Sequence, residues 1–240
     1  MLRSLAVAFG FLTRIPVAAG AVSPGELARS LTYFPAVGAA LGALLFGART
    51  LLGPVLAPGL VAACVVALGA LATGGLHLDG VADVFDALGG GRGQRDRMLH
   101  ILRDSRIGAH GAAALALLIV AKVLAVAALD GRGWALYGAP IAARWAVVVL
   151  VVRFPYARPD GLGAPFHRHA GSMQLAGATI VAVALLGGLG ARALAPAAAA
   201  LGAALAVAVP LHRRLGGLTG DVYGAAIEAA ELAFLVVAGC

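Results

Sequence analysis

Apolar runs of about 20 residues recur along almost the whole of this chain, and that is the length a helix needs to cross a lipid bilayer. Composition agrees, because 61% of the 240 residues are hydrophobic and only 12% are charged. Soluble domains carry about 25% charged residues. We therefore predict an all-α polytopic membrane protein with one integral-membrane domain over residues 1–240. Seven transmembrane helices are expected, at residues 33–53, 57–76, 109–129, 133–152, 173–192, 195–211 and 221–239.

The first apolar stretch, residues 5–20, differs from the seven runs. Arg14 and Pro16 interrupt it, which favours an interfacial or re-entrant helix over a full crossing. No clear signal-peptide cleavage site follows it. The two cysteines, Cys64 and Cys240, provide neither a disulfide framework nor a zinc-ligand spacing.

The distribution of arginines predicts how the chain is oriented in the membrane. With seven crossings, thirteen arginines fall on one side, and only Arg49, Arg132 and Arg192 fall on the other. Loops rich in Lys and Arg stay in the cytoplasm, so we expect the arginine-rich side to be cytoplasmic. The net charge of +7 is assigned to contacts with the lipid bilayer, and no nucleic-acid partner is expected.

Three carboxylates follow the second predicted span within eight residues. Asp79, Asp83 and Asp86 are spaced by four and three positions, so a helix would carry them on one face. Three negative charges on one face repel each other unless a cation lies between them. Mg²⁺ prefers oxygen ligands and often joins carboxylates to substrate phosphates, so we predict that these residues bind it. His77, nearby, is expected to be a base or a hydrogen-bond donor.

Two arginine-containing segments are candidates for binding an anionic substrate. In the first, Arg103, Ser105 and Arg106 surround Asp104, so that arginines could bind phosphate while the aspartate holds a metal. Cytoplasmic anchoring charge is the alternative interpretation. In the second, Arg153 and Arg158 flank aromatic residues, an arrangement that suits either a nucleotide clamp or an ordinary interfacial belt.

The last predicted span contains an unusual set of acidic residues. Asp221 and Glu228 are seven positions apart and share a helix face, and Glu231 follows three positions later. Glutamates in a lipid-embedded helix need partners. The sequence offers three, namely a metal ion, Arg144 or Lys122, and Asp221 could also cap the helix.

Three segments occur in an order typical of a known family: GGLHLDGVADVFDALGGG, RDSRIGAHG and GLTGDVYGAAIEAAE. Together with FLTRIPV near the N-terminus and FPAVGAALG from residue 34, they resemble cobalamin synthase, also called adenosylcobinamide-GDP ribazoletransferase, nearly end to end. The family signature reads closer to DSRIGTFG. Ala109 and His110 replace the usual Thr-Phe pair here, while Asp104, Ser105 and Arg106 are kept.

The resemblance implies a Mg²⁺-dependent enzyme of the bacterial inner membrane whose active site faces the cytoplasm. Such enzymes join adenosylcobinamide-GDP to α-ribazole or its 5′-phosphate, release GMP, and form adenosylcobalamin or its 5′-phosphate. On this basis Asp79, Asp83, Asp86 and Asp104 are expected to bind one or two Mg²⁺, completed by Asp221, Glu228 and Glu231. Arg103 and Arg106 would hold the diphosphate, and Asp83 or His77 would accept the proton of the attacking hydroxyl.

Two other functions are compatible with the sequence. Asp79-Gly80 followed by Asp83 and Asp86 partly matches the pattern of CDP-alcohol phosphotransferases, although the Ala-Arg pair and long spacer of that family are missing. A cation transporter using the intramembrane carboxylates is the second alternative, but transporters spread polar residues along a path through the midplane. Glycine-rich helices also permit a homo-oligomer.

Overall fold

The computed structural model describes residues 2–17, 22–158 and 163–240. Within them the chain is almost entirely helical, and the one extended pairing is a single bridge between Tyr156 and Leu218. In chain order the helices are α1 Leu2–Leu12, α2 Pro24–Ser30, α3 Phe34–Leu52, α4 Pro58–Thr73, α5 Leu76–Gly90, α6 Arg95–Ile101, α7 Ala109–Ala127, α8 Trp134–Arg153, α9 Ala164–His169, α10 Ser172–Gly187, α11 Leu194–Leu215 and α12 Gly220–Gly239. The predicted all-α membrane fold is confirmed.

Two of the seven predicted spans are shorter in the structure than expected. In the described part of the chain, five helical segments are long and apolar enough to cross a membrane, at Pro24–Leu52, Ala109–Ala127, Trp134–Arg153, Gly190–Leu215 and Gly220–Gly239. The count reaches six if the bent pair α4–α5 is one span. The prediction of seven also counted α4 and α10, which have 16 residues each. At 1.5 Å per residue such a helix is about 24 Å long, shorter than a hydrocarbon core of about 30 Å.

Helix α1 has 11 residues, too few to cross a bilayer, in agreement with the interfacial or re-entrant prediction for residues 5–20. Residues 18–20 of that prediction lie outside the described residues. The helix packs against α2 and α3, and the chain after it returns to the end of α4, where the Arg14 amide donates to the Ala72 carbonyl at 2.8 Å.

Helix α8 is the centre of the bundle. Most of it is buried, and it packs against α3, α10, α11 and α12. Gly38 and Gly42 let α3 approach α8 closely, because a Cβ on them would lie 2.4 Å from the Pro140 carbonyl oxygen and 2.5 Å from that of Tyr137. Small residues at helix crossings are a feature of membrane bundles, since they let backbones touch.

A sharp bend separates α4 from α5. Gly74 and Gly75 both adopt left-handed backbone angles, with φ of 66° and 72°, which side chains other than glycine rarely tolerate. The two helices consequently meet at 91°. The bend turns α5 out of the direction of α4 and directs its polar face toward the loops.

The three arginines assigned to the arginine-poor side lie together at one end of the molecule. Arg49 donates to the carbonyls of Val126 and Leu129 at 3.0 and 2.8 Å, and Arg132 donates to the Gly239 carbonyl. Arg192 lies over the Trp134 ring, 4.9 Å from its centre. Each therefore satisfies helix-end carbonyls or packs on an aromatic ring.

Candidate active site

Asp79 and Asp83 of α5 border a cavity of about 580 Å³ at the arginine-rich end of the molecule, formed by the end of α1, the α4–α5 bend, α5 and the loop before α7. We call it the acidic cavity. Its polar and charged lining residues are Thr13, Arg14, Thr73, Asp79, Asp83, Ser105 and Arg106. The sequence predicted four of these as site residues, and the structure brings those four together.

Asp83 lies at the centre of a group of charged side chains. It is half-buried, and Asp79, Asp86, Asp221 and Arg158 all interact with it electrostatically. Four carboxylates against one guanidinium leave a net negative charge, which favours a cation or a proton among them. This excess of carboxylate oxygen is the property expected of a site that receives a divalent cation.

Asp86, predicted to bind a metal, makes two hydrogen bonds to backbone amides. Its Oδ2 accepts from the Gly108 amide at 2.7 Å and its Oδ1 from the Gly111 amide at 2.8 Å. These amides belong to the first turn of α7, so Asp86 caps that helix from a distance. With one oxygen on each amide, Asp86 holds α7 against α5, and its assignment as a metal ligand stays a prediction.

Asp104 and Arg106 form a pair across the loop before α7. The Arg106 guanidinium donates to both Asp104 oxygens, the shortest contact being 2.6 Å, and its backbone amide donates to Oδ1 at 3.1 Å. These hydrogen bonds lower the pKa of Asp104 to about 2. Asp104 does not line the acidic cavity, and its metal assignment stays a prediction. Arg103, predicted to bind substrate, is exposed and does not line the cavity.

Arg158 joins the acidic group to the start of α12. Its Nη2 donates to Asp221 Oδ2 at 3.3 Å and to the Leu102 carbonyl at 3.1 Å, while its buried Nε has no partner among the described residues. Asp221 lines a pocket that adjoins the acidic cavity, with Asp79 bordering both. Arg153, the other arginine predicted in this segment, is exposed and lines neither.

Glu228 and Glu231 form ion pairs with Lys122 and Arg144, the basic residues that the sequence analysis names as alternatives to a metal ion. Lys122 Nζ lies 2.6 Å from Glu228 and 2.7 Å from Glu231. Arg144 also pairs with Glu231, and its Nη2 lies 3.4 Å from His77 Nδ1. Two cations balance two anions here, so the contacts favour a structural ion cluster over a metal site. A buried cluster of this kind is strongly destabilised when one partner is lost.

Comparison with known proteins gives a consistent result. A model of the family described as cobalamin-5-phosphate synthase matches residues 4–239. Proteins named adenosylcobinamide-GDP ribazoletransferase from Geotalea daltonii and Pseudomonas aeruginosa are 42% and 41% identical, over 98% of this chain and 96% and 97% of their own lengths. One from Klebsiella pneumoniae is 42% identical over 98% of this chain and 99% of its own. No solved structure shows significant similarity to the chain.

The chain belongs to the cobalamin-5-phosphate synthase family. Membership confirms the predicted resemblance, and together with the long apolar helices it makes this chain a transferase of the multi-pass membrane type. It also decides against the CDP-alcohol phosphotransferase and the cation transporter, because the match to transferases of this one family extends over almost the whole chain.

One residue that lines the acidic cavity, Arg14, is not among the site residues predicted from the sequence. Arg14 lines the acidic cavity opposite Asp79 and Asp83, and its side chain packs so closely on the bend that a Cβ at Gly74 would overlap it. In the sequence alone, Arg14 is recognisable only as an interruption of an apolar stretch. The sequence signal that could have identified Arg14 is the FLTRIPV segment, residues 11–17, which resembles the family.

The described residues contain no group of three or more His, Cys, Asp or Glu side chains already placed to hold a metal ion. Mg²⁺ does not require one, because it usually keeps several waters and binds one or two carboxylates together with substrate phosphates. Asp79 and Asp83 provide the two carboxylates in a cavity large enough for such a complex. The residues present therefore fit a Mg²⁺ that arrives with a phosphorylated substrate.

Proposed function

We propose that this chain transfers the adenosylcobinamide phosphate group of adenosylcobinamide-GDP to a ribose hydroxyl of α-ribazole or its 5′-phosphate. GMP is released, and adenosylcobalamin or its 5′-phosphate is formed. The relatives' names support the donor and the acceptor. The observation that carries the proposal is the acidic cavity, where Arg14 and Arg106 face Asp79 and Asp83, because a diphosphate needs both positive charge and a metal-binding edge.

The transfer requires one bond to form at phosphorus and one to break. The acceptor hydroxyl oxygen attacks the phosphorus that carries the cobinamide group, and the bond from that phosphorus to the bridging oxygen breaks, with GMP as the leaving group. The hydroxyl proton passes to the Asp83 carboxylate. Asp83 is the better candidate base of the two predicted, because it lines the acidic cavity and His77 does not.

The arginines bind and orient the donor. Arg14 and Arg106 border the cavity. Arg158 donates from Nη2 to Asp221, and its buried Nε has no partner among the described residues. Guanidinium groups bind phosphate oxygens with paired hydrogen bonds. Mg²⁺ bound by Asp79 and Asp83 would neutralise the diphosphate charge and make GMP a better leaving group.

The proposed setting is the bacterial inner membrane, with the acidic cavity facing the cytoplasm. The arginine excess at the cavity end supports this orientation. Cys240 and Cys64 are both exposed side chains, which makes the orientation testable. In a Cys64→Ser background, a membrane-impermeant maleimide should label Cys240 in intact spheroplasts. Labelling only after lysis would place the C-terminus in the cytoplasm. The cavity, at the other end of the molecule, would then face away from the cytoplasm.

The reaction is tested by GMP release from the purified protein in lipid nanodiscs, given adenosylcobinamide-GDP, α-ribazole and Mg²⁺, with EDTA as the metal control. Asp83→Asn should lower turnover by at least about a hundredfold, as expected when a general base is lost. Asp96→Asn is the matched control, because the Asp96 side chain is 97% exposed and lies outside the cavity.

Each result has a defined meaning. Metal-dependent release that Asp83→Asn abolishes and Asp96→Asn preserves supports both the reaction and the site. Release that persists in Asp83→Asn would refute the assignment of the base while leaving the reaction in place. Absence of release from well-folded wild-type protein would refute the proposed donor and acceptor. The homo-oligomer stays a prediction that the structure of a single chain does not test.

A further inference from the structure

A second pocket adjoins the acidic cavity and combines aromatic rings with aliphatic side chains. We call it the aromatic pocket and define it by Phe11, Phe34, His77, Phe166 and Tyr223. The three phenylalanines contact one another, with ring centres 4.8 to 6.1 Å apart. The cavity has a volume of about 130 Å³, enough for a small ring system and too little for a whole nucleotide.

Two buried polar atoms at this pocket have no hydrogen-bond partner among the described residues. They are His77 Nε2 and the Tyr223 hydroxyl, on residues that are 2% and 9% exposed. Buried polar groups are nearly always hydrogen-bonded, so an unsatisfied one calls for an explanation. Two at one small apolar pocket indicate that a ligand with hydrogen-bonding atoms completes them.

The hydrogen-bonding role of His77 follows from its other neighbour. Arg144 Nη2 lies 3.4 Å from His77 Nδ1, and a guanidinium group can only donate. Nδ1 therefore accepts, and in a neutral imidazole the proton is then on Nε2. Arg144 is itself held by Glu231, which fixes this arrangement. His77 consequently offers an N–H donor to the aromatic pocket, as the hydrogen-bond donor that the sequence suggested and not as the catalytic base.

The position of the pocket links it to the transfer reaction. Asp79 borders both the aromatic pocket and the acidic cavity, and Asp221 borders the aromatic pocket beside Arg158. A ring held among the phenylalanines would thus have its attached sugar directed at the carboxylates. This is the placement needed for a nucleoside that attacks with a ribose hydroxyl.

We propose that the aromatic pocket binds the base of the acceptor nucleoside, with His77 Nε2–H donating to its unsubstituted ring nitrogen and the Tyr223 hydroxyl hydrogen-bonding to the attached ribose. The proposal rests on the proposed function. Ribazole carries a benzimidazole, which is flat, largely apolar and has one such nitrogen. Guanine, the base of the donor, is the competing planar group. Its polar edge needs several partners inside the pocket. The walls are mostly phenylalanine, leucine, valine and isoleucine, and the two carboxylates at the pocket, Asp79 and Asp221, belong to the acidic group around Asp83. The apolar walls therefore suit the benzimidazole better.

Steady-state kinetics with varied α-ribazole test the proposal in the nanodisc preparation. Tyr223→Phe removes only the hydroxyl, and His77→Asn keeps an acceptor for Arg144 while removing the ring N–H. Each should raise KM for α-ribazole about five- to tenfold, the loss expected for one hydrogen bond, and leave KM for adenosylcobinamide-GDP unchanged. Tyr137→Phe is the matched control, because Tyr137 does not line the pocket. Unchanged KM for α-ribazole in both variants overturns the proposal, as does a rise confined to the donor, which would assign the pocket to guanine.

A second measurement needs neither a variant nor turnover. By isothermal titration calorimetry without donor, wild-type protein should bind 1-methylbenzimidazole more tightly than 1-methylindole, which has the same shape but lacks the ring nitrogen acceptor. Excess α-ribazole should displace the ligand, and GMP should not. Equal affinity for the two ligands would overturn the proposal even if GMP release succeeds. If the protein binds 1-methylbenzimidazole selectively but releases no GMP, the proposal for the pocket is supported and the proposed reaction is refuted.

Discussion

Asp86 joins α5 to the start of α7 through two hydrogen bonds, and replacing it tests whether these contacts or a bound metal matter more. As a metal ligand it would matter for activity and little for stability. As the cap of α7, with its oxygens 2.7 and 2.8 Å from the Gly108 and Gly111 amides, it should matter for stability first. A hydrogen bond to a charged group contributes about 1.5–3 kcal/mol, and charge at a helix N-terminus adds about 0.3–1 kcal/mol.

Asp86→Asn keeps one acceptor oxygen and loses the charge and one hydrogen bond. Since the Gly108 contact is exposed to solvent, we expect the lower end of this range, a loss of about 2 kcal/mol. For a chain of this length that corresponds to a fall in Tm of roughly 4–8 °C. Helical ellipticity at 222 nm, followed during heating in one detergent, measures it.

Asp96→Asn makes the same chemical change on an exposed side chain and should leave Tm within about 1 °C of wild type, as expected for surface substitutions. The reasoning would be refuted if Asp86→Asn melted like wild type while its Mg²⁺-dependent GMP release collapsed. That pattern would return Asp86 to the metal site and show that α7 does not depend on the cap.

Three further predictions concern the surroundings of the site. Gly80→Ala places a Cβ 2.5 Å from the Asp221 carbonyl oxygen, so it should cost about 1–3 kcal/mol by overpacking and slow turnover. Gly202→Ala, with open space around it, should not destabilise in the same melting assay, and equal effects would contradict the close approach. Glu231→Gln leaves two buried cations with one carboxylate, so it should destabilise by about 3–5 kcal/mol; a Tm equal to wild type would show that the cluster is dispensable. Asp104 has a pKa of about 2 because Arg106 donates to its ionised form. The resulting stabilisation of the loop is fully present at a pH above the ordinary aspartate pKa, near 4, and is lost as the pH falls toward 2. Arg106→Gln should raise the Asp104 pKa toward 4 in a carboxyl NMR titration, and an unchanged value would contradict the pairing.

The sequence was sufficient to predict the fold class because hydropathy alone defines a membrane helix. It predicted the positions of α4 and α10 correctly but overestimated their lengths. A sliding apolar window continues through Gly74, and only the left-handed backbone there shows where α4 ends. Apolar composition does not reveal such a bend, since glycine is also common in straight membrane helices.

The candidate site was predicted in part. Asp79, Asp83, Ser105 and Arg106 come together as expected, because a helical face and a short loop are local features. The roles of Asp86 and Glu231 depend on contacts with residues far away in the sequence, which spacing cannot show. Arg14 was missed for the same reason, since its position opposite α5 is set by the α4–α5 bend.

Both pockets take walls from α1, the first helix in the chain, and the aromatic pocket also needs α12, the last. A ribosome synthesises these helices in that order, so α1 reaches the membrane well before α12 exists. Until α12 packs against α5, Asp221 and Tyr223 are absent from the aromatic pocket, and the proposed binding site for the acceptor is incomplete. Catalysis therefore begins only after the last helix has been inserted, and activity in a membrane preparation reports completed assembly as well as chemistry.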